Sequence, residues 1–185
     1  MTSGRRTRRQ YLGGVGTAVA ATVAGCAGRG RTTHESPTGT GTPTNTPEKP
    51  PIHSRYETAT VRVETPDGER LGTVTAAVAD TPELRYTGLS DTDSLPDERG
   101  MLFVFDAVED HTFVMREMDF GIDIVYADSD GTITTIHHAP APGPNEKGSE
   151  QHYPGRGQYV LEVPLDWTSA HGVGVGDVLA LDRPV

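Results

Sequence analysis

The 185 residues carry 26 acids against 16 bases, a net charge of −10 with only two lysines, Lys49 and Lys147. That balance argues against a nucleic-acid partner, which needs a basic face. The single cysteine, Cys26, leaves everything after it without a disulfide, a thiolate metal site or a thiol nucleophile, so packing alone must hold the fold.

Residues 1–26 read as an address. Arg5, Arg6, Arg8 and Arg9 form a basic start with no acid, and a weakly apolar Gly/Ala-rich run follows from Gly13 to Ala24. Thr7-Arg8-Arg9-Gln10-Tyr11-Leu12 resembles a twin-arginine export signal carried by Arg8 and Arg9. Val23-Ala24-Gly25-Cys26 resembles a lipobox whose Cys26 takes the lipid. The expectation is an exported lipoprotein anchored by Cys26 to the outer face of the cell membrane. Cleavage would remove four arginines and no acid, leaving 12 bases against 26 acids and a net charge of −14. Such an acidic, lysine-poor surface resembles proteins of salt-loving microbes, in which concentrated ions screen the self-repulsion. Residues 27–56, rich in Thr, Pro and Gly, bury too little to offset their ordering entropy and read as a disordered tether.

From 57 to 185 the chain reads as one domain. Thr58–Val63 and Leu71–Ala79 predict a hairpin closed by a glycine-containing loop. Asp80–Gly88 predicts a short helix with Thr81 as cap, Pro82 in the first turn and Gly88 as stop. Three apolar runs, Met101–Phe105, Phe113–Met115 and Ile122–Tyr126, predict three buried strands. Asp130-Gly131 turns into Thr132–His137, a second hairpin. Residues 139–157, with four prolines and several glycines, predict a long loop of the kind that often carries function. Gln158–Val163 predicts another strand, Asp166–His171 a short helix ended by Gly172, and Val178–Leu181 a last strand. The fold class expected is α+β, mainly β: a curled antiparallel sheet or small barrel with two short helices.

Gly88-Leu89, Gly100–Phe105, Phe113–Arg116, Ile122–Tyr126, Tyr159–Val163, Gly172-Val173 and Val175–Val178 follow one another in an order that resembles the domain of unknown function 192 (DUF192) family. The resemblance covers roughly residues 70–181. It implies a compact β-rich α+β fold behind a signal peptide or lipoprotein anchor, and no activity. Where that family usually has Trp, Lys and Asn around its central Met, this chain has Val114, Arg116 and Glu117. Pro164-Leu165-Asp166 replaces its small-residue turn.

Asp123 and Glu162 are carboxylates sewn into apolar strands, and both need partners. Arg85, Arg99 and Arg116 are the available cations. With Asp119 they make the candidate ligand-binding cluster: Arg85, Arg99, Arg116, Asp119, Asp123 and Glu162, with 139–157 as a lid. The blander reading is a set of ion pairs fixing strand register, or acids on a wet sheet face. No nucleophile elbow, phosphate loop or compact metal spacing is present, and neighbouring His137 and His138 point to opposite faces of a strand. No catalytic residue, metal or cofactor is therefore assigned. The function expected is a cell-surface domain binding a small molecule, a glycan or an envelope protein without catalysis. The alternatives are a metal-assisted hydrolase using Asp123, Glu162 and His137, or a purely structural envelope component.

Overall fold

The computed structural model describes residues 55–182, so the expected signal and nearly all of the expected tether lie outside the described residues. Strands β1 (Thr58–Glu64) and β2 (Arg70–Ala79) pair antiparallel as the expected hairpin. Helix α1 (Pro82–Thr87) begins where Thr81 Oγ1 accepts the Leu84 N–H at 3.3 Å. It stops at Gly88, whose φ of +50° suits glycine, and a Cβ there would also press to 3.3 Å from the Phe103 ring. Strand β3 (Arg99–Val114) runs parallel to β2, and residues 80–98, α1 among them, are the crossover that a parallel pair requires.

Two of the three expected central strands are one. Met101–Phe105 and Phe113–Met115 are separated in the sequence by polar residues, yet β3 runs through the first and ends in the second at Val114, with an irregularity between Val104 and Glu109. Its outer half pairs only with the first half of β6 (His152–Pro164), giving a two-stranded arm that packs Phe113 and Tyr153 on the core and leaves Asp110 and Arg156 exposed. The same arm corrects the expected 139–157 loop: residues 152–157 are strand. Pro154 is tolerated because this half of β6 has β3 on one side and no strand on the other. The carbonyls of Tyr153, Pro154 and Arg156 meet Tyr126 Oη (2.6 Å), His137 Nε2 (2.7 Å) and Thr134 Oγ1 (2.7 Å). Gly155 supplies the room, since a Cβ there would lie 2.6 Å from the Tyr126 ring.

Strands β4 (Ile122–Ala127) and β5 (Ile133–Ala139) form the second expected hairpin. Helix α2 (Trp167–His171) ends at Gly172 in the left-handed region, and β7 (Val178–Leu181) closes the chain. The order is β5-β4-β6-β3-β2-β1-β7, a seven-stranded mixed sheet curled into a half-barrel, antiparallel except at β2–β3. The expected mainly-β α+β fold is what the chain forms.

Because side chains alternate along strands, the sheet carries two apolar faces. One gathers Val61, Val74, Leu102, Val125, Leu161 and Trp167 of α2. The other gathers Met101, Phe103, Ile122, Ile124, Tyr126 and Val160, and is covered by Leu84 of α1, Leu89, Met115 and Met118. Each such buried aliphatic contributes about 1.5–3 kcal/mol relative to exposure. The second face also carries a cleft.

Candidate functional site

A cleft of about 290 Å³ opens on the second face, between the C-terminal end of α1 and the strands beneath it. Phe103, Phe105, Phe113 and Val114 of β3 line it together with Ile122 of β4 and Met118. The α1 side contributes Arg85, Tyr86 and the turn through Ser90. Strand β6 contributes one side chain, Glu162.

Glu162 is 5% exposed and accepts or donates no hydrogen bond and forms no ion pair with any described residue. Its cross-strand neighbours on this face are Met101 of β3 and Ile124 of β4, both fully buried. Burial in these apolar surroundings pushes its carboxyl up to about 8. At neutral pH it is thus mostly protonated, a hydrogen-bond donor facing an apolar cleft.

The two cations stand around the opening. Arg85 Nη1 donates to the carbonyls of Asp80 and Val104, both at 2.7 Å, and its guanidinium lies 5.0 Å from the Phe105 ring centre. No described carboxylate stands within 4 Å of it. Arg116 donates to the Tyr86 carbonyl, stacks 4.3 Å from the Tyr86 ring centre, and has the exposed carboxylate of Glu117 at 3.6 Å. Ser90 Oγ donates to the Arg116 carbonyl at 3.0 Å and fixes the turn that carries this side chain. Neutral carbonyls and ring faces orient both guanidiniums, and of the two only Arg116 has a described carboxylate within 4 Å, that of exposed Glu117.

Of the six candidate residues, Arg85, Arg116 and Glu162 line the cleft; Arg99, Asp119 and Asp123 do not. Arg99 begins β3 and Asp119 is exposed in the turn before β4. Asp123 is one step out of phase with Glu162. Ile124 is the residue opposite Glu162 in the β4–β6 register and Asp123 is opposite Val163, so the two acids face opposite sides of the sheet. Fully buried, Asp123 accepts from Thr168 N–H (2.8 Å), Thr168 Oγ1 (2.6 Å) and Asp166 N–H (3.1 Å), and bonds His138 Nδ1 at 2.7 Å. It satisfies the first backbone groups of α2, a helix whose own N-cap residue makes no side-chain bond.

The trio Asp123, Glu162 and His137 therefore does not converge. His137 shares the Glu162 face with Ile124 between them, and its Nε2 is taken by the Pro154 carbonyl. Among the described residues no three of His, Cys, Asp and Glu stand together as metal ligands. The segment expected as a lid contributes nothing to the cleft wall. It is pinned instead to the Met115 turn, whose N–H donates to the Gly148 carbonyl at 3.0 Å. Sequence reasoning missed the aromatic wall. Phe103, Phe105 and Phe113 come to one wall only because a single β3 joins the two apolar runs across an irregularity, which alternation along the sequence does not reveal.

The pattern of the family described as "Uncharacterized ACR", DUF192, matches residues 62–181. A crystal structure from Sinorhizobium meliloti 1021, provisionally described as a transcription regulator, is similar at 29% identity and TM-score 0.61, covering 68% of this chain and 95% of that one. A protein of unknown function from Novosphingobium aromaticivorans DSM 12444 is similar at 26% identity and TM-score 0.60, covering 69% and 88%. No curated protein matches the chain.

Proposed function

The chain belongs to the DUF192 family, which brings a fold and no activity, and on that premise we propose that it is a non-catalytic binding domain. Its ligand site is the α1–β3–β6 cleft, and a lipid on Cys26 holds it to the outer face of the membrane. One observation carries the binding reading: a carboxyl group 5% exposed, without a protein partner, facing an open cleft lined by phenylalanines. The protein offers Glu162 no hydrogen-bond partner and the carboxyl opens on the cleft, so a ligand group reaching it supplies a bond that the fold does not. Arg85 and Arg116 at the opening add charge recognition, and the apolar wall adds affinity. The basic start, the twin arginines and the VAGC sequence support export and anchoring.

The test is thermal melting of the purified chain, with Cys26→Ser to keep it off the membrane, against divalent metals, sugars, cell-wall fragments, and small apolar acids, alcohols and amines. A ligand class that raises the melting temperature, and no longer does so with Val114→Trp, supports the site. That substitution fills the cleft with the residue type the family usually carries there. Absence of any shift across all classes overturns it.

A further inference from the structure

Resting on that reading of the cleft, we propose that its ligand is a small amphipathic carboxylate. The carboxylate is held by Arg85 and Arg116 at the mouth, its apolar body lies along Phe103, Phe105 and Phe113, and a hydroxyl or carbonyl oxygen at its far end faces Glu162. Three features converge on this chemistry. First, the mouth is positive in a molecule that is otherwise strongly negative, 26 acids against 16 bases overall. Among the described residues only exposed Glu117 approaches either guanidinium as an ion-pair partner. Two cations held by carbonyls and rings, with N–H groups to spare, match a carboxylate and repel an ammonium group.

Second, the wall between mouth and floor is aromatic. Phe103 and Phe113 meet edge to face at 4.7 Å, a rigid surface that an alkyl or aromatic body can cover without reordering. A volume of about 290 Å³ sits at the small end of ligand pockets. Third, the floor offers a single polar group. Held protonated by its apolar surroundings, Glu162 has an O–H to donate and a carbonyl oxygen to accept, which a hydroxyl at the ligand's inner end matches on both counts and a carbonyl oxygen on one. A second carboxylate there would have to shed its own charge. A monoanion also suits the acid-rich surface better than a doubly charged phosphate does.

The experiment is calorimetric titration of the full Cys26→Ser chain at pH 7 with ω-hydroxyoctanoate, its methyl ester, octanoate and ω-aminooctanol. The hydroxy acid is expected to bind at least tenfold more tightly than its ester, and its affinity to fall with added salt. Arg116→Gln, and Arg85→Lys as a charge-keeping second variant, separate charge from fork geometry. The first is expected to weaken the acid about tenfold and leave the ester unchanged, the second to weaken it less. Glu162→Gln, whose amide still donates, retains the preference for hydroxyoctanoate over octanoate, and Glu162→Leu loses it. Binding of the amine in place of the acid, blocked by Val114→Trp, overturns the carboxylate and leaves the cleft as a site. No binding by any of the four, together with no shift in the broader panel, overturns both.

Discussion

Asp123 and Glu162 begin alike. Each is an acid in a buried strand, flanked in sequence by two aliphatic residues and covered to 5% exposure or less. They end as opposites because of one step of register. Asp123 faces the side where α2 docks and is consumed by four hydrogen-bond partners. Glu162 faces the side where α1 stands off from the sheet and finds none. A buried acid is thus structural or available according to the strand face on which it falls, and residue type alone does not distinguish the two.

The contrast can be broken most severely by pH. Unfolded, Glu162 titrates near 4.5; folded, near 8. The folded state holds the proton more tightly, so this contribution to stability is complete below pH 4.5 and is lost as the pH rises through 8. At about 1.4 kcal/mol per unit the loss approaches roughly 5 kcal/mol. Urea unfolding at pH 5 and pH 9 should show a decline in the parent chain that Glu162→Gln largely removes. An equal decline in both would mean that Glu162 is not the group responsible.

Next comes Asp123→Ala. It strands the two buried Thr168 donors, frees the Asp166 N–H at the start of α2, and should cost about 3 kcal/mol or more, read as a lower urea midpoint with the α2 region first to exchange its amide hydrogens. Removing one partner should cost less. Thr168→Val deletes a single donor of the network and is expected to destabilise by about 1–2 kcal/mol, with ligand binding at the opposite face unchanged. Altered binding in Thr168→Val would show that the two faces are coupled after all.

Much of this was legible in the sequence. The hairpins, the caps of α1, the α2 stop at Gly172 and the last strand followed from alternation and turn chemistry, which act locally. The arm did not, because polar Asp106–Thr112 and the Pro154-Gly155 pair look like loop until each is given the other as a partner. Arg85, Arg116 and Glu162, which share the wall of one cleft, were named from charge in apolar company. The separation of Asp123 from Glu162 depends on which residue faces which across β4 and β6, and no single strand contains that information.

The two outermost strands come round to meet. Thr132 bridges Val178, Ile133 N–H reaches the Asp177 carbonyl and Leu179 N–H that of Gly131, both at 2.8 Å. The seam is a single bridge with its flanking bonds, so it ties the two edge strands at one end and leaves the rest of β5 and the first half of β6 with a strand on one side only. Gly131 holds that meeting point with a φ of +82°, where a side chain would collide with the Leu179 carbonyl, so substitution there would part the two edge strands at the one place they touch.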